Sequence, residues 1–135
     1  MSGVAIIREL LAQHAPVLNI VTADRVVAGI LPQGASLPAL SVHSVGDNEE
    51  ATVARNMPNR MMRERVQVTA LTKKYTDTAR LIKAAYLGPG VKTGFVKGFK
   101  VNSIIPLGAG PEIPPGDDGI YEQSRDFMVT FLEPN

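Results

Sequence analysis

The sequence RVQVTA, residues 65–70, decides the fold, because its apolar side chains, Val66, Val68 and Ala70, alternate with polar ones. Successive side chains of a strand point to opposite faces of a sheet. The alternation therefore predicts a β-strand with one buried face and one polar face. The rest of the chain must supply a layer that covers the buried face.

A helix is predicted shortly after this strand. Thr76 can cap its first turn, and the breakers Gly88-Pro89-Gly90 follow its end. Between them, apolar side chains recur at helical spacing, namely Ala79, Ile82, Ala85 and Tyr86. We expect this helix to lie on the buried face of the sheet.

Further elements are predicted outward on both sides of this unit. A first helix is indicated by Val4, Ile7, Leu10 and Leu11, with Ser2 as its N-cap and Pro16 beyond its end. Residues 17–27 favour a short extended segment. Alternating patterns predict strands around residues 40–42, at 95–105, where Gly98 is a candidate bulge, and at 126–131.

Two long connections join these elements. Residues 46–60 are polar and rich in turn formers, which is typical of an extended hairpin arm, and residues 106–119 carry many Gly and Pro breakers. The expected fold is an α+β, two-layer domain spanning residues 1–135. It has a mainly antiparallel four-stranded sheet, two helices on one face, and long loops.

Composition excludes several classes of protein. The chain has 135 residues, 44% of them hydrophobic and 20% charged, which suits a packed core. It has no cysteine, so it has no disulfide framework, thiolate nucleophile or zinc–thiolate site. No apolar run approaches the roughly 20 residues that span a bilayer. We therefore expect a soluble, intracellular protein without a membrane partner.

The net charge of +1 hides an uneven distribution. Residues 1–109 carry a formal charge of +6, and residues 110–135 carry −5, with Arg125 as their single cation. This division could steer identical subunits head to tail. It could equally cancel within one fold, and the sequence leaves both interpretations open.

Candidate catalytic and cofactor motifs are weak. Gly108-Ala109-Gly110 begins like a dinucleotide fingerprint, but nearby prolines forbid the helix that must follow. A hydrolase built on Ser36 and His43 is the third and least favoured hypothesis, since the chain has only one other histidine, His14. We predict no catalytic residue, no metal site and no cofactor.

A basic cluster is the most suggestive feature of the sequence. Its members are Arg55, Arg60, Arg63 and Arg65, with Lys73 and Lys74 downstream. Such a cluster could contact nucleic-acid phosphates, and the alternative function is therefore a nucleic-acid-binding module that uses Arg55 to Arg65. Tyr75 is the only aromatic residue near it, so a base-stacking platform is not supported.

Three segments resemble the bacteriophage tail-completion, or tail-terminator, family, whose members join tail to head. They are Arg25-Val26-Val27 with residues 31–38, residues 65–70 with the helix after them, and residues 121–131. The chain departs from the family pattern at Ala39, where an aromatic residue is common, and at Thr69-Ala70. The subfamily therefore stays open between tail terminator, head-to-tail joining protein and minor neck component.

The resemblance implies a non-enzymatic virion protein of the tail or neck, assembled in the host cytoplasm. It would cap the tail tube as a homo-oligomeric ring, a hexamer in this family, and offer a docking face to the head. The implied partners are further copies of the chain, the tail tube protein and a head-completion or connector protein, with passive DNA contact in the lumen. The expected interface residues are Arg55, Arg60, Arg63, Arg65, Asp47, Glu49, Glu50, Asp117 and Asp118.

Overall fold

A curled, mixed β-sheet with helices on one face organises the computed structural model, which describes residues 2–29, 31, 36–49, 59–87 and 94–134. The helices are α1 (Ser2–Ala12), α2 (Ala15–Leu18) and α3 (Tyr75–Ala84), with a 3-10 turn at Ala23–Arg25. The strands are β1 (Val26–Ala28), β2 (Ala39–Glu49), β3 (Asn59–Thr72), β4 (Gly94–Val96), β5 (Phe99–Ala109) and β6 (Tyr121–Pro134).

The expectation of a four-stranded, mainly antiparallel sheet is wrong. Over the described residues the sheet has six strands in the order β1-β2-β3-β6-β5-β4. The short β1 pairs with β2 in parallel, and every other pairing is antiparallel. Residues 17–27 were expected to be extended, but residues 17–25 are mostly helical or turn, and only Val26 and Val27 of that segment join the sheet.

The central strands β3 and β6 carry the core. Val66, Val68 and Ala70 are fully buried, as their alternation predicts, and Phe127 and Val129 of β6 are buried beside them. Helices α1 and α3 cover this face. The opposite face of β3, from Arg63 to Leu71, is exposed or half-buried.

Helix α3 is rotated relative to the predicted apolar stripe. Ile82 and Ala85 are buried as predicted, but Ala79 and Tyr86 are exposed, and Thr78 and Leu81 are buried in their place. The Thr78 hydroxyl bonds to the Thr72 hydroxyl and donates to the Lys74 carbonyl, so a polar side chain is accommodated against the sheet. The helix begins at Tyr75, so Thr76, the predicted cap, lies within its first turn.

The predicted third strand is in fact a hairpin of two strands. Lys97 and Gly98 have positive φ angles of 51° and 82° and connect β4 to β5 as a two-residue turn, not as a bulge. A register shift between Val101 and Ser103 then turns Ile104 inward and leaves Ile105 exposed. The regular alternation assumed for residues 95–105 therefore fails.

Both predicted connections are partly strand. β2 extends to Glu49 and pairs with β3 up to the pair of Glu49 with Met62, so residues 46–49 and 59–60 of the predicted connection are strand. Residues 50–58 lie outside the described part of the chain. β5 continues to Ala109 despite Pro106, because a register shift beyond Pro106 relieves its pairing with β6. The segment then stays against β6 through the bridge between Ile113 and Glu122.

A buried carboxylate fixes the start of α1. Glu64 of β3 is fully buried, and its Oε1 accepts a hydrogen bond from the Gly3 amide at 3.2 Å. The first turn of α1 contains no acidic residue, and Glu64 supplies from the sheet an acceptor for a first-turn amide that has no partner within the helix. A Cβ on Gly3 would lie 2.8 Å from Glu64 Cδ, which explains the glycine.

Candidate functional site

A groove of apolar character lies beside α3. It runs between α3 and residues 112–115, above the first residues of β6, and has a volume of about 180 Å³. Its apolar wall consists of Tyr75, Ala79, Ile113, Pro114, Pro115 and Tyr121. A volume of about 180 Å³ is below the range of roughly 300–1,000 Å³ that holds drug-sized ligands, and it suits one large side chain of a partner.

Hydrogen bonding and ring packing hold the groove open. The Tyr75 hydroxyl donates to both carboxylate oxygens of Glu112, at 2.9 and 2.8 Å, and so ties α3 to the opposite wall. Tyr75 and Tyr121 meet edge to face with ring centroids 6.1 Å apart. The hydrogen bond to Glu112 raises the pKa of Tyr75, because the neutral phenol donates to a carboxylate.

A shallower depression continues the groove toward the end of α3. The Arg125 guanidinium carbon lies 4.8 Å from the centre of the Tyr86 ring, and Lys83 lines the same depression. Tyr75, Tyr86 and Tyr121 are all the tyrosines in the chain, which has no tryptophan. Tyrosine and arginine are enriched among residues that dominate binding energy at protein interfaces, so this concentration points to a docking surface.

Sequence reasoning missed this groove. It placed Tyr86 in the apolar stripe of α3, and within the loop at residues 106–119 it named only Asp117 and Asp118 as interface residues. The signal that could have found it is the position of the three tyrosines around breaker-rich residues 106–119. Only the pairing of residues 110–113 with β6 brings them to one place.

The predicted basic cluster lies along β3 and is partly neutralised within the subunit. Arg60 pairs with Glu133 at 3.2 Å, and Arg65 pairs with Asp126 at 2.7 Å, both across to β6. Arg63 is exposed between them, and Arg55 lies outside the described residues. Among the described arginines of the cluster, Arg60 and Arg65 thus have a carboxylate partner already, which weakens the case for a phosphate-binding arm.

The predicted acidic residues fall into two separate places. Asp47 and Glu49 lie at the end of β2 in the hairpin with β3, and Glu50 is outside the described residues. Asp117 and Asp118 lie in an exposed turn near the far end of the sheet, where Lys73 Nζ donates to the Asp118 carbonyl at 2.8 Å. The structure therefore does not bring the two acidic groups together.

The uneven charge distribution cancels in part inside the fold. Pairing β3 with β6 sets arginines of the basic region against Asp126 and Glu133 of the acidic region. Of the two interpretations left open by the sequence, cancellation within one subunit accounts for these contacts. The acidic side chains around the groove, Glu112 and Glu122, are not part of these pairs.

The hydrolase hypothesis finds no support in the geometry. Ser36 is exposed before β2, while His43 is half-buried at the fifth residue of that strand, and no hydrogen bond joins them. Within the described ranges, no group of three or more His, Asp and Glu side chains could hold a metal ion. Gly108 and Ala109 belong to β5, and residues 110–113 lie against β6 where a dinucleotide fingerprint would need a helix.

None of the described helices has the length and apolar content needed to cross a membrane.

Comparisons with solved structures find a likeness of fold. A chain of the solved structure "Virion of native gene transfer agent (GTA) particle" superposes with a TM-score of 0.67, covering 96% of this chain and 94% of that chain. The sequence identity is 9%, so the likeness is one of fold. No protein-family model matches the sequence. No curated protein sequence matches it either.

Proposed function

We propose that this chain is a structural protein of a phage-like virion that caps the end of a tail tube as a ring of identical subunits. We further propose that the ring has six subunits and that it offers a docking face to the head or neck. No catalytic step is part of this function. The protein acts through its shape and its contacts.

The likeness of fold to a chain of the gene transfer agent virion carries the proposal, because it extends over 96% of this chain and 94% of the other. A match over nearly the whole of both chains concerns the complete domain rather than a shared supersecondary motif. The resemblance of residues 25–38, 65–86 and 121–131 to tail-completion proteins points in the same direction.

Surface features supply the contacts that a ring needs. The groove beside α3 and the exposed hairpin of β4 and β5 are different surfaces, and contacts between unlike patches of identical subunits close into rings when the rotation allows. Arg63 and Asp117, both exposed, are further candidates for contact with a neighbouring subunit, the tail tube protein or a connector protein. DNA passing through the lumen would be contacted passively.

The experiment that tests the proposal adds the purified, epitope-tagged protein to tail tubes that lack their terminal component. Immunogold electron microscopy should then find the label at one end of each tube. A protein of the same size and similar charge with an unrelated fold is the control. Label spread along the tube walls, or no label above that control, would contradict a capping function.

A further inference from the structure

The hairpin of β4 and β5 presents an exposed aromatic side chain. Phe95 is 77% exposed, more than any other large hydrophobic side chain in the described residues. Its backbone is held by pairing with Lys100 across the hairpin and by the turn at Lys97 and Gly98. Lys97 also pairs with Glu9 of α1 at 3.6 Å, so the hairpin is anchored to the body of the subunit.

The charge around Phe95 is positive. Lys100 lies directly opposite Phe95 in the register, is exposed, and has no carboxylate within ion-pair distance among the described residues. The hairpin therefore offers a phenyl ring next to an unpaired cation. Phenylalanine is among the residue types enriched at protein–protein interfaces.

The groove beside α3 has the complementary character. Its wall is built from aromatic, aliphatic and proline side chains, and its charged lining residues are both acidic, Glu112 and Glu122. Glu122 makes no ion pair within the described part of the chain, whereas Glu112 is bonded to Tyr75. An apolar cavity with a negative rim matches an aromatic side chain accompanied by a lysine.

The two surfaces lie at opposite ends of the sheet. Phe95 is beside the first residues of β5, whereas the groove is beside residues 112–115, beyond the last residue of that strand. At about 3.3 Å per residue, β5 alone separates them by about 35 Å. Phe95 therefore cannot reach the groove of its own subunit, but two copies can meet head to tail through these surfaces.

We propose that the groove beside α3 binds the β4–β5 hairpin of a second copy of this chain, with Phe95 in the apolar cavity and Lys100 against Glu122. The inference rests on the proposed ring and names the contact that closes it. Each subunit then gives one hairpin and receives one, so a closed ring leaves neither surface free.

The first experiment compares self-association of the wild type with that of Phe95→Ala by sedimentation velocity up to about millimolar concentration. Truncating one aromatic hot-spot residue should raise the concentration for half-assembly by about 30-fold or more. Circular dichroism should be unchanged, because the side chain is mostly exposed. Ile105→Ala removes another exposed apolar side chain from the same hairpin unit and should leave assembly unaltered.

Mixing two defective variants tests which surfaces meet. Ala79→Lys places a cation in the groove at an exposed helical position while keeping the hairpin intact. Phe95→Ala keeps the groove and removes the phenyl group from the hairpin. A mixture of the two should stop at a one-to-one dimer, because one hairpin and one groove remain functional, whereas each variant alone stays monomeric.

A charge exchange provides an independent check. Lys100→Glu and Glu122→Lys should each weaken assembly, and the double variant should recover it.

Tyrosine emission reports binding of the hairpin in the groove, since the chain has no tryptophan and its three tyrosines line the groove and its continuation. The emission should change on assembly of the wild type and not in Phe95→Ala.

The outcomes separate this contact from the proposed function. Rings formed equally well by Phe95→Ala, or no recovery in the charge exchange, overturn the hairpin contact and leave the capping function intact. A wild type that is monomeric at every concentration also overturns the contact. The proposed capping function would be contradicted by a different result, the absence of the protein from the ends of tail tubes.

Discussion

Gly3→Ala is expected to destabilise the protein, although alanine is the better helix former. The new Cβ would lie 2.8 Å from Glu64 Cδ, 2.9 Å from Glu64 Oε2 and 3.1 Å from a methyl group of Val66. Both neighbours are fully buried in β3, so neither can move without disturbing the core. Overpacking of this kind costs about 1–3 kcal/mol.

Part of this cost is offset by helix propensity, since Gly to Ala within a helix is worth about 0.5–1 kcal/mol. The net expectation is a loss of about 1–2 kcal/mol in the free energy of unfolding. For a domain of this length, that corresponds to a Tm lower by roughly 3–8 °C. Urea titration followed by circular dichroism measures the free energy, and a thermal scan measures Tm.

Two controls isolate the contact with Glu64. In a Glu64→Ala background the space is vacated, so Gly3→Ala should cost nothing or be mildly stabilising, and the double-mutant cycle gives the coupling. Gly46→Ala is the matched change at a glycine whose added Cβ meets no atom within 4 Å, and it should not destabilise. A stabilising effect of Gly3→Ala in the wild-type background would refute the reasoning.

Three further predictions concern the sheet, the hairpin and the groove. Asp126→Ala should lower the free energy of unfolding, measured by urea titration, by about 1–3 kcal/mol, because this buried carboxylate accepts hydrogen bonds from two β3 side chains. Glu133→Ala, in the more exposed pair with Arg60, should lower it by at most about 1 kcal/mol. Equal losses in the two variants would contradict this ranking. In a Glu9→Gln background, which removes the exposed ion pair of Lys97, Lys97→Asn should raise stability by about 0.5–1 kcal/mol, since asparagine before Gly98 suits a turn with positive φ. A lowered Tm in that background would argue against the turn assignment. Spectrophotometric titration should find that Tyr75 ionises above the ordinary tyrosine pKa, and Glu112→Gln should lower its pKa toward the ordinary value. The stability contributed by this hydrogen bond is present below the unfolded-state pKa of Tyr75 and is lost as pH rises through its folded-state pKa. An unchanged titration in Glu112→Gln would contradict the hydrogen bond.

Strand alternation could be predicted where a single element stays in register. In β3, Val66, Val68 and Ala70 follow a period of two and are buried as expected. The pattern did not extend to Glu64, which occupies the same face. A buried carboxyl group contradicts the polarity rule, and its hydrogen bond from the Gly3 amide at the start of α1 depends on tertiary contacts that the local sequence does not contain.

The strands predicted around residues 40–42 and at 126–131 are present in β2 and β6, whereas register changes made β4 and β5 difficult to predict. The turn at Lys97 and Gly98 and the shift near Ser103 each reset the alternation, so Ile104 rather than Ile105 faces the core. β1 has three residues, which is too short for any period to be read. Its parallel pairing with β2 depends on tertiary contacts that the local sequence does not contain.

The candidate site was largely beyond prediction for the same reason. The charged residues of β3 were visible in the sequence, but their partners on β6 depend on the register between the two strands. The groove combines residues from α3, the segment after β5 and the start of β6. No spacing within any one of these segments indicates that they meet.

The central claim is that identical copies of this chain assemble into a ring that closes a tail tube. Native mass spectrometry over a series of protein concentrations, alone and with tail tubes, tests it most directly. The account predicts a discrete closed oligomer, with six copies as the expected mass, whose abundance rises on the tubes. A monomer as the only species under both conditions, or a continuous ladder of masses without a closed species, would contradict it.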